Sequence, residues 1–394
     1  ILFLAFKVKT KGQNEGEKLL KPKLRFKEFN DNWTLISLNS LMEFKNGINA
    51  AKNAYGKGIK YISVTDILNN NFITYEKIKG LVNIDNITLK NNSVTYGDVV
   101  FQRSSETIED IGRANVYLDH NKVATFGGFV IRGKKKGDYN PLFINYLLQN
   151  SSSRKAIIVK GAGAQHYNIS QEELEKIELY FPSIQEQEKI ANLLSLLDKK
   201  IELQKQKIEA LKIYKKWLSK KLFSFNSIYE KKLGDLCSIT TGKLDANAMN
   251  KNGKYRFFTC AKEYYYINTY AFDTEALLIS GNGAYVGYIN YYKGKFNAYQ
   301  RTYVLDKFNE DIFYIKYFLD EFLPLRIFSE KKDGNTPYIV LSTLSNMTIK
   351  FPAFNIQKII VNILSELDKK INLSEERLKL LSRLKNFLLQ QMFI

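Results

Sequence analysis

A repeat at a spacing of 170 residues constrains this chain more than any other feature. Phe181-Pro182 returns as Phe351-Pro352, and the stretch 192–203 returns nearly unchanged as 362–373. Aligned without a gap, 181–223 and 351–393 share 17 identities in 43 positions. Each copy follows a different globular segment, so the chain reads as a two-armed binder.

Both copies carry a heptad. The first places Ile190, Leu194, Leu197, Ile201, Ile208, Leu211, Leu218 and Leu222 on one seam. The second places Ile360, Leu364, Leu367, Ile371, Leu378, Leu381, Leu388 and Met392 there. The polar interruptions Gln204 and Lys215 recur as Ser374 and Lys385. A sustained period of 3.5 marks a coiled-coil seam. A polar seam residue costs least opposite another, so the two copies are predicted to pair with each other. Each helix of roughly 38 residues would span about 57 Å. The Phe-Pro before each copy ends a strand and presets the turn into the helix.

The preceding segments are mixed. In the first, 60–64, 98–102 and 128–132 read as strands. Asn140-Pro141 opens a helix, Ser170-Gln171-Glu172-Glu173 caps another, and 177–180 returns as a strand. The second segment echoes this order: 233–236 with Gly242 against 38–41 with Gly47, 276–280 against 98–102, 299–305 against 125–131, 313–319 against 142–148, and 334–337 against 161–165. The first carries about 25 extra residues in its middle.

The formal charge is +19, from 59 basic and 40 acidic residues. That balance favours a polyanionic partner, nucleic acid first and an acidic membrane surface second. The apolar start at 1–6 is too short for a membrane span, and 1–22 reads as a mobile lead-in. Two cysteines, Cys237 and Cys260, give no disulfide framework and point to a reducing cytosol.

A search for chemistry returns little. No Gly-Lys pair is followed by Ser or Thr, so there is no P-loop. None of the six prolines is followed by Pro or Asp, which removes the amino-methylase loop and the common nuclease signature. His120 and His166 show no zinc spacing with the cysteines. No catalytic residue, metal site or cofactor is nominated. Binding residues are better supplied. Gln102, Arg103, Arg113, Lys134, Lys135, Gln165 and Asn168 fall at strand ends or loops of the first segment. Lys243, Lys254, Arg256, Asn282, Gln300 and Arg301 occupy comparable places in the second. Arg reads guanine and Gln or Asn reads adenine, while Lys more often holds phosphate.

At this point the sequence resembles a family. The run 24–33 ending at Trp33, then Leu38-Asn39-Ser40-Leu41, then Phe181-Pro182-Ser183-Ile184-Gln185-Glu186-Gln187 with Ile190-Ala191, is similar to the specificity subunit of type I restriction-modification systems. The resemblance implies an α/β fold: two pseudo-symmetric α/β target-recognition domains separated by two long antiparallel coiled-coil helices. On that basis 23–182 and 226–352 are expected as the two domains, and 183–225 and 353–394 as the spacer helices. It implies a cytoplasmic, non-catalytic subunit that reads a bipartite, asymmetric target in double-stranded DNA. Its implied partners are two modification (methyltransferase) subunits, which carry S-adenosylmethionine, and two restriction subunits, with no membrane. Adding four residues to the first rod, about 6 Å, should then widen the unread gap by about one or two base pairs. Two rivals remain. One is a methyltransferase or nuclease fusion with degenerate motifs, distinguished by activity of the chain alone. The other is a coiled-coil adaptor that never touches DNA, distinguished by the salt dependence of duplex binding.

Overall fold

The computed structural model describes residues 6–8, 21–161, 163, 166–330 and 338–394. The chain forms two compact units. The first comprises residues 1–203 with 378–394, and the second 204–377. Each long helix therefore contributes one part to each unit.

The first unit is built on an antiparallel sheet in which Met42–Asn46, Val130–Lys135, Val99–Gln102 and Ala114–Val116 lie side by side. Side chains alternate across a strand, and both faces are covered. Val99 and Phe101 join the main core with Met42, Phe44 and Ile131, whereas Val100 and Val130 join a second cluster with Ile62, Tyr117 and Phe126. A further sheet of Thr125–Phe126, Tyr55–Ile62 and Leu81–Val82 supports that cluster. The strand expected at 60–64 ends at Ile62, because Ser63 and Asp66 form a capping box that opens the helix Val64–Asn69. The strand expected at 128–132 begins at Val130, because the Val130 N–H closes a turn onto the Gly127 carbonyl at 2.8 Å. Of the stretch 1–22, residues 1–5 and 9–20 lie outside the described residues, and Phe6–Val8 pairs with Leu24–Phe26.

The second unit has a six-stranded sheet in the order Ser238–Thr241, Thr302–Asp306, Phe272–Ser280, Ile289–Ala298, Tyr255–Phe258 and Tyr265–Ile267. Again Leu277 and Ile279 face one core, with Leu305 and Leu323, while Ala276 and Leu278 face another, with Phe296 and Val304. Matching elements start in matching ways. The helix Pro141–Gln149 begins on Asn140, whose Oδ1 accepts from Leu142 N and Phe143 N at 3.0 Å. Ile312–Glu330 begins on Asp311, whose Oδ1 accepts from Phe313 N and Tyr314 N at 2.8 and 2.9 Å. Each cap satisfies two of the N–H groups that a helix start leaves without partners.

The long helices are Ile184–Leu222 and Phe354–Gln391. Their starts are locked alike: Gln187 Nε2 donates to the Pro182 carbonyl and Gln357 Nε2 to the Pro352 carbonyl, both at 3.0 Å. Within the first unit Ile190, Leu194, Leu197, Ile201 and Leu388 are buried together, with Leu378 and Leu381 half-buried against them. Asp198 accepts from the Tyr146 hydroxyl at 2.8 Å and pairs with Lys385 at 2.6 Å. Within the second unit Ile208, Ile360, Leu364, Leu367 and Ile371 are buried, while Leu211 and Leu218 are half-buried. Asp368 repeats the pattern, with the Tyr317 hydroxyl at 2.9 Å and Lys215 at 2.6 Å. Gln204 Nε2 donates to the Ser374 carbonyl at 3.0 Å. From Gln204 to Lys215 the partner falls from Ser374 to Asp368, so here the helices run antiparallel.

Candidate nucleic-acid interface

Each unit carries the same backbone mouth at the end of its central strand. In the first, Arg103 N donates to the Phe129 carbonyl, Ile169 N to the Arg103 carbonyl, and Gly47 N to the Val130 carbonyl. In the second, Gly281 N donates to the Arg301 carbonyl, Ile339 N to the Gly281 carbonyl, and Gly242 N to the Thr302 carbonyl. The turn closed by Val130 N onto Gly127 is repeated by Thr302 N onto Tyr299, both at 2.8 Å. These bonds equate Arg103 with Gly281, Asn168 with Tyr338, and Phe129 with Arg301. The hairpin echo is thus 127–133 against 299–305, two residues away from the register expected from composition alone. Gly47 and Gly242 are required for the same reason. A Cβ on Gly47 would lie 2.0 Å from the Gly127 carbonyl oxygen, and one on Gly242 would lie 1.9 Å from that of Ala298.

Around this frame the first unit gathers Gln102, Arg103 and Asn168. Gln102 is buried, with Nε2 on the Ser104 carbonyl at 3.0 Å and Oε1 without a partner. Asn168 Oδ1 accepts from the Ser104 hydroxyl at 2.5 Å. A cleft of about 540 Å³ opens here, lined by Asn46, Arg103, Lys160, Asn168 and Gln171, with Glu173 held by Lys176 at 2.8 Å. Gln165 lies outside the described residues, as does the counterpart loop at 334–337. Arg113 lies beside the strand end, since Gln102 N donates to its carbonyl, but its side chain pairs with Asp110 at 2.6 Å. It lines a separate cavity with Asn115 and Arg154. Lys134 and Lys135 stand at the opposite end of the strand Val130–Lys135, about 13 and 17 Å from Val130 at about 3.3 Å per residue. Lys135 Nζ is held there by the Tyr139 carbonyl at 3.0 Å.

In the second unit the backbone brings the stretches carrying Lys243, Asn282, Gln300 and Arg301 together, with Gln300 N on the Leu244 carbonyl and Gly281 N on that of Arg301, both at 2.9 Å. Gln300 Nε2 is taken by Asp245 Oδ1 at 2.7 Å, whereas Arg301 is exposed with no ion-pair partner among the described residues. Cys260 Sγ donates to the Arg301 carbonyl at 3.3 Å. Ser280, at the place of Gln102, is likewise buried with an unpartnered Oγ. Arg256 sits between the rings of Tyr264 and Tyr292, 4.2 and 4.6 Å from their centroids, and Lys254 lies at the far end of that strand. Sequence reasoning missed Asn46, Asn49, Phe129, Lys160 and Tyr338. The Gly127-Gly128 pair before Phe129 was the one local signal of an exposed tip.

A family model described as the type I restriction modification DNA specificity domain matches residues 30–212 and 227–383. The chain belongs to this family. The specificity subunit of the type I restriction enzyme EcoDI from Escherichia coli is 38% identical over 148 residues, 37% of this chain and 32% of that one. The chain thus spans about a third of that subunit, and 48% of the putative MjaX subunit of Methanocaldococcus jannaschii. The MjaIX specificity subunit of M. jannaschii is 23% identical over 411 residues, covering 91% of this chain and 92% of that one. The crystal structure of the S subunit of the type I restriction-modification system from M. genitalium aligns with a TM-score of 0.64 at 20% identity, over 95% of this chain and 99% of that one. A chain from a study of complex assembly and conformational transition of the type I system aligns with a TM-score of 0.58 at 14% identity, over 91% and 96%. As a member of this family, the chain has an α/β fold with two matched specificity domains and two long helices. Among the described residues no helix is long and apolar enough to cross a membrane.

Proposed function

We propose that the chain reads a bipartite, asymmetric target in double-stranded DNA for a cytoplasmic type I restriction-modification complex. One half-site is read at the mouth made by 47–49, 103–105, 127–129 and 168, and the other at the mouth made by 242–245, 281–283, 299–301 and 338. The observation that carries this reading is one backbone frame repeated in both units with different side chains upon it: Arg103, Phe129 and Asn168 against Gly281, Arg301 and Tyr338. Different side chains on one frame require different half-sites. Exposed lysines, Lys134, Lys243 and Lys254 among them, add phosphate contacts that give affinity without sequence information.

The boundaries fall at 23–182 and 226–352 for the readers and at 183–225 and 353–394 for the helices. The helices set the unread gap and hold the partners: two modification subunits, which carry the methylation chemistry, and two restriction subunits. The chain itself supplies no catalytic group. Supporting the docking role is a second heptad stripe left in solvent, with Leu203 and Trp217 on the first helix and Leu373, Leu380 and Phe387 on the second, each more than half exposed.

Selection of duplexes from a randomised pool by the full chain, co-purified with its modification subunits, tests this reading. Two unlike sequence blocks separated by an unread gap are expected. One block, two identical blocks or no enrichment would overturn it.

A further inference from the structure

Phe129 is 67% exposed, yet its backbone is held on several sides. Its carbonyl accepts from Arg103 N at 2.9 Å, Val130 N closes the turn onto Gly127, and Gly127 N donates to the Ile62 carbonyl at 3.0 Å. The tip also has no room to settle. A Cβ on Gly127 would lie 2.2 Å from the Tyr61 hydroxyl oxygen, and one on Gly128 would lie 1.9 Å from Asn49 Oδ1. A large apolar ring on a fixed backbone, two-thirds exposed at the strand end where Arg103 pairs with it, has gained little from folding. Its counterpart is Arg301, fixed by the same carbonyl bond at 2.9 Å from Gly281 N and by the same turn. Phe is apolar and offers no hydrogen-bond donor, whereas Arg is a permanent cation with five N–H donors. A shared structural need would not place both at one position.

We propose that this position is a specificity determinant of each unit, with Phe129 reading a thymine methyl in one half-site and Arg301 reading a guanine in the other. A thymine presents its C5-methyl in the major groove, where an apolar ring can cover it, whereas guanine presents O6 and N7 to a guanidinium. The inference rests on the half-site reading above.

The test compares duplex preferences of the full chain, co-purified with its modification subunits, as wild type and as Phe129→Ala, Phe129→Leu, Arg301→Ala and Arg301→Lys. Phe129→Ala should lose about fivefold or more of its preference at a single T·A pair in one half-site. Phe129→Leu should keep part of it. Replacing that thymine by uracil should weaken wild-type binding and leave Phe129→Ala unaffected. Arg301→Ala should relax one G·C pair in the other half-site by about tenfold, with Arg301→Lys intermediate. Preferences identical to wild type at every pair, or uniform loss across both half-sites, would overturn the proposal. A wild-type chain without bipartite preference would sink the underlying reading as well, whereas a bipartite wild type with unchanged variants sinks this inference alone.

Discussion

Asp198 and Asp368 occupy the same place in the two helix copies, and each takes one tyrosine hydroxyl and one lysine. Their surroundings differ. The Asp198 side chain is 7% exposed and that of Asp368 32%. Removing a buried partner leaves the remaining charge and hydroxyl without compensation, which costs more than at a wetter site. Asp198→Ala should therefore cost about 3 kcal/mol and Asp368→Ala about 1 kcal/mol in urea unfolding. Equal costs would contradict this account of the pair. At this scale the sequence was partly legible. The matched lysines at 215 and 385 were visible as seam interruptions, but each meets an aspartate of the other helix and not a polar seam residue. Phe129 escaped notice because a search for readers looks for hydrogen-bonding groups, and burial of a phenylalanine is the ordinary expectation.

The long helices were the most readable elements, because a 3.5 period is written locally and needs no distant partner. The mouths were less so. Gln102, Arg103 and Asn168 meet only through pairing of 104–105 with 167–168, and nothing in either stretch announces the other. The two-residue offset of the hairpin has the same origin, since the turn bond and not composition fixes its register. Element packing also ties the end of the chain to its beginning. Phe393 stands edge-on to Trp33, with centroids 6.3 Å apart, and 5.6 Å from Phe143. Phe393→Ala should cost about 3–4 kcal/mol, and the loss should fall on the first unit. Trp33 is buried at 1% and Trp217 is 54% exposed, so the change in tryptophan emission on unfolding reports mainly on Trp33. Its transition should move to lower denaturant in the variant. An unmoved transition would mean that Phe393 adds nothing to that core.

At the scale of the whole molecule, the proposed function makes the two unlike mouths readers linked by a paired helical spacer. On the proposed reading, the +19 charge would supply affinity for any duplex, and the two mouths would supply sequence. Because Gln204 bonds to Ser374, an insertion in one helix alone changes the register of the pair as well as its length, whereas matched insertions keep the register. The decisive variant adds one heptad to each helix, after Gln204 and after Ser374, extending the pair by about 10.5 Å, or roughly three base pairs. Mapping its selected duplexes against those of wild type should give the same two blocks with the gap longer by about three base pairs. An unchanged gap, or altered blocks, would contradict the account.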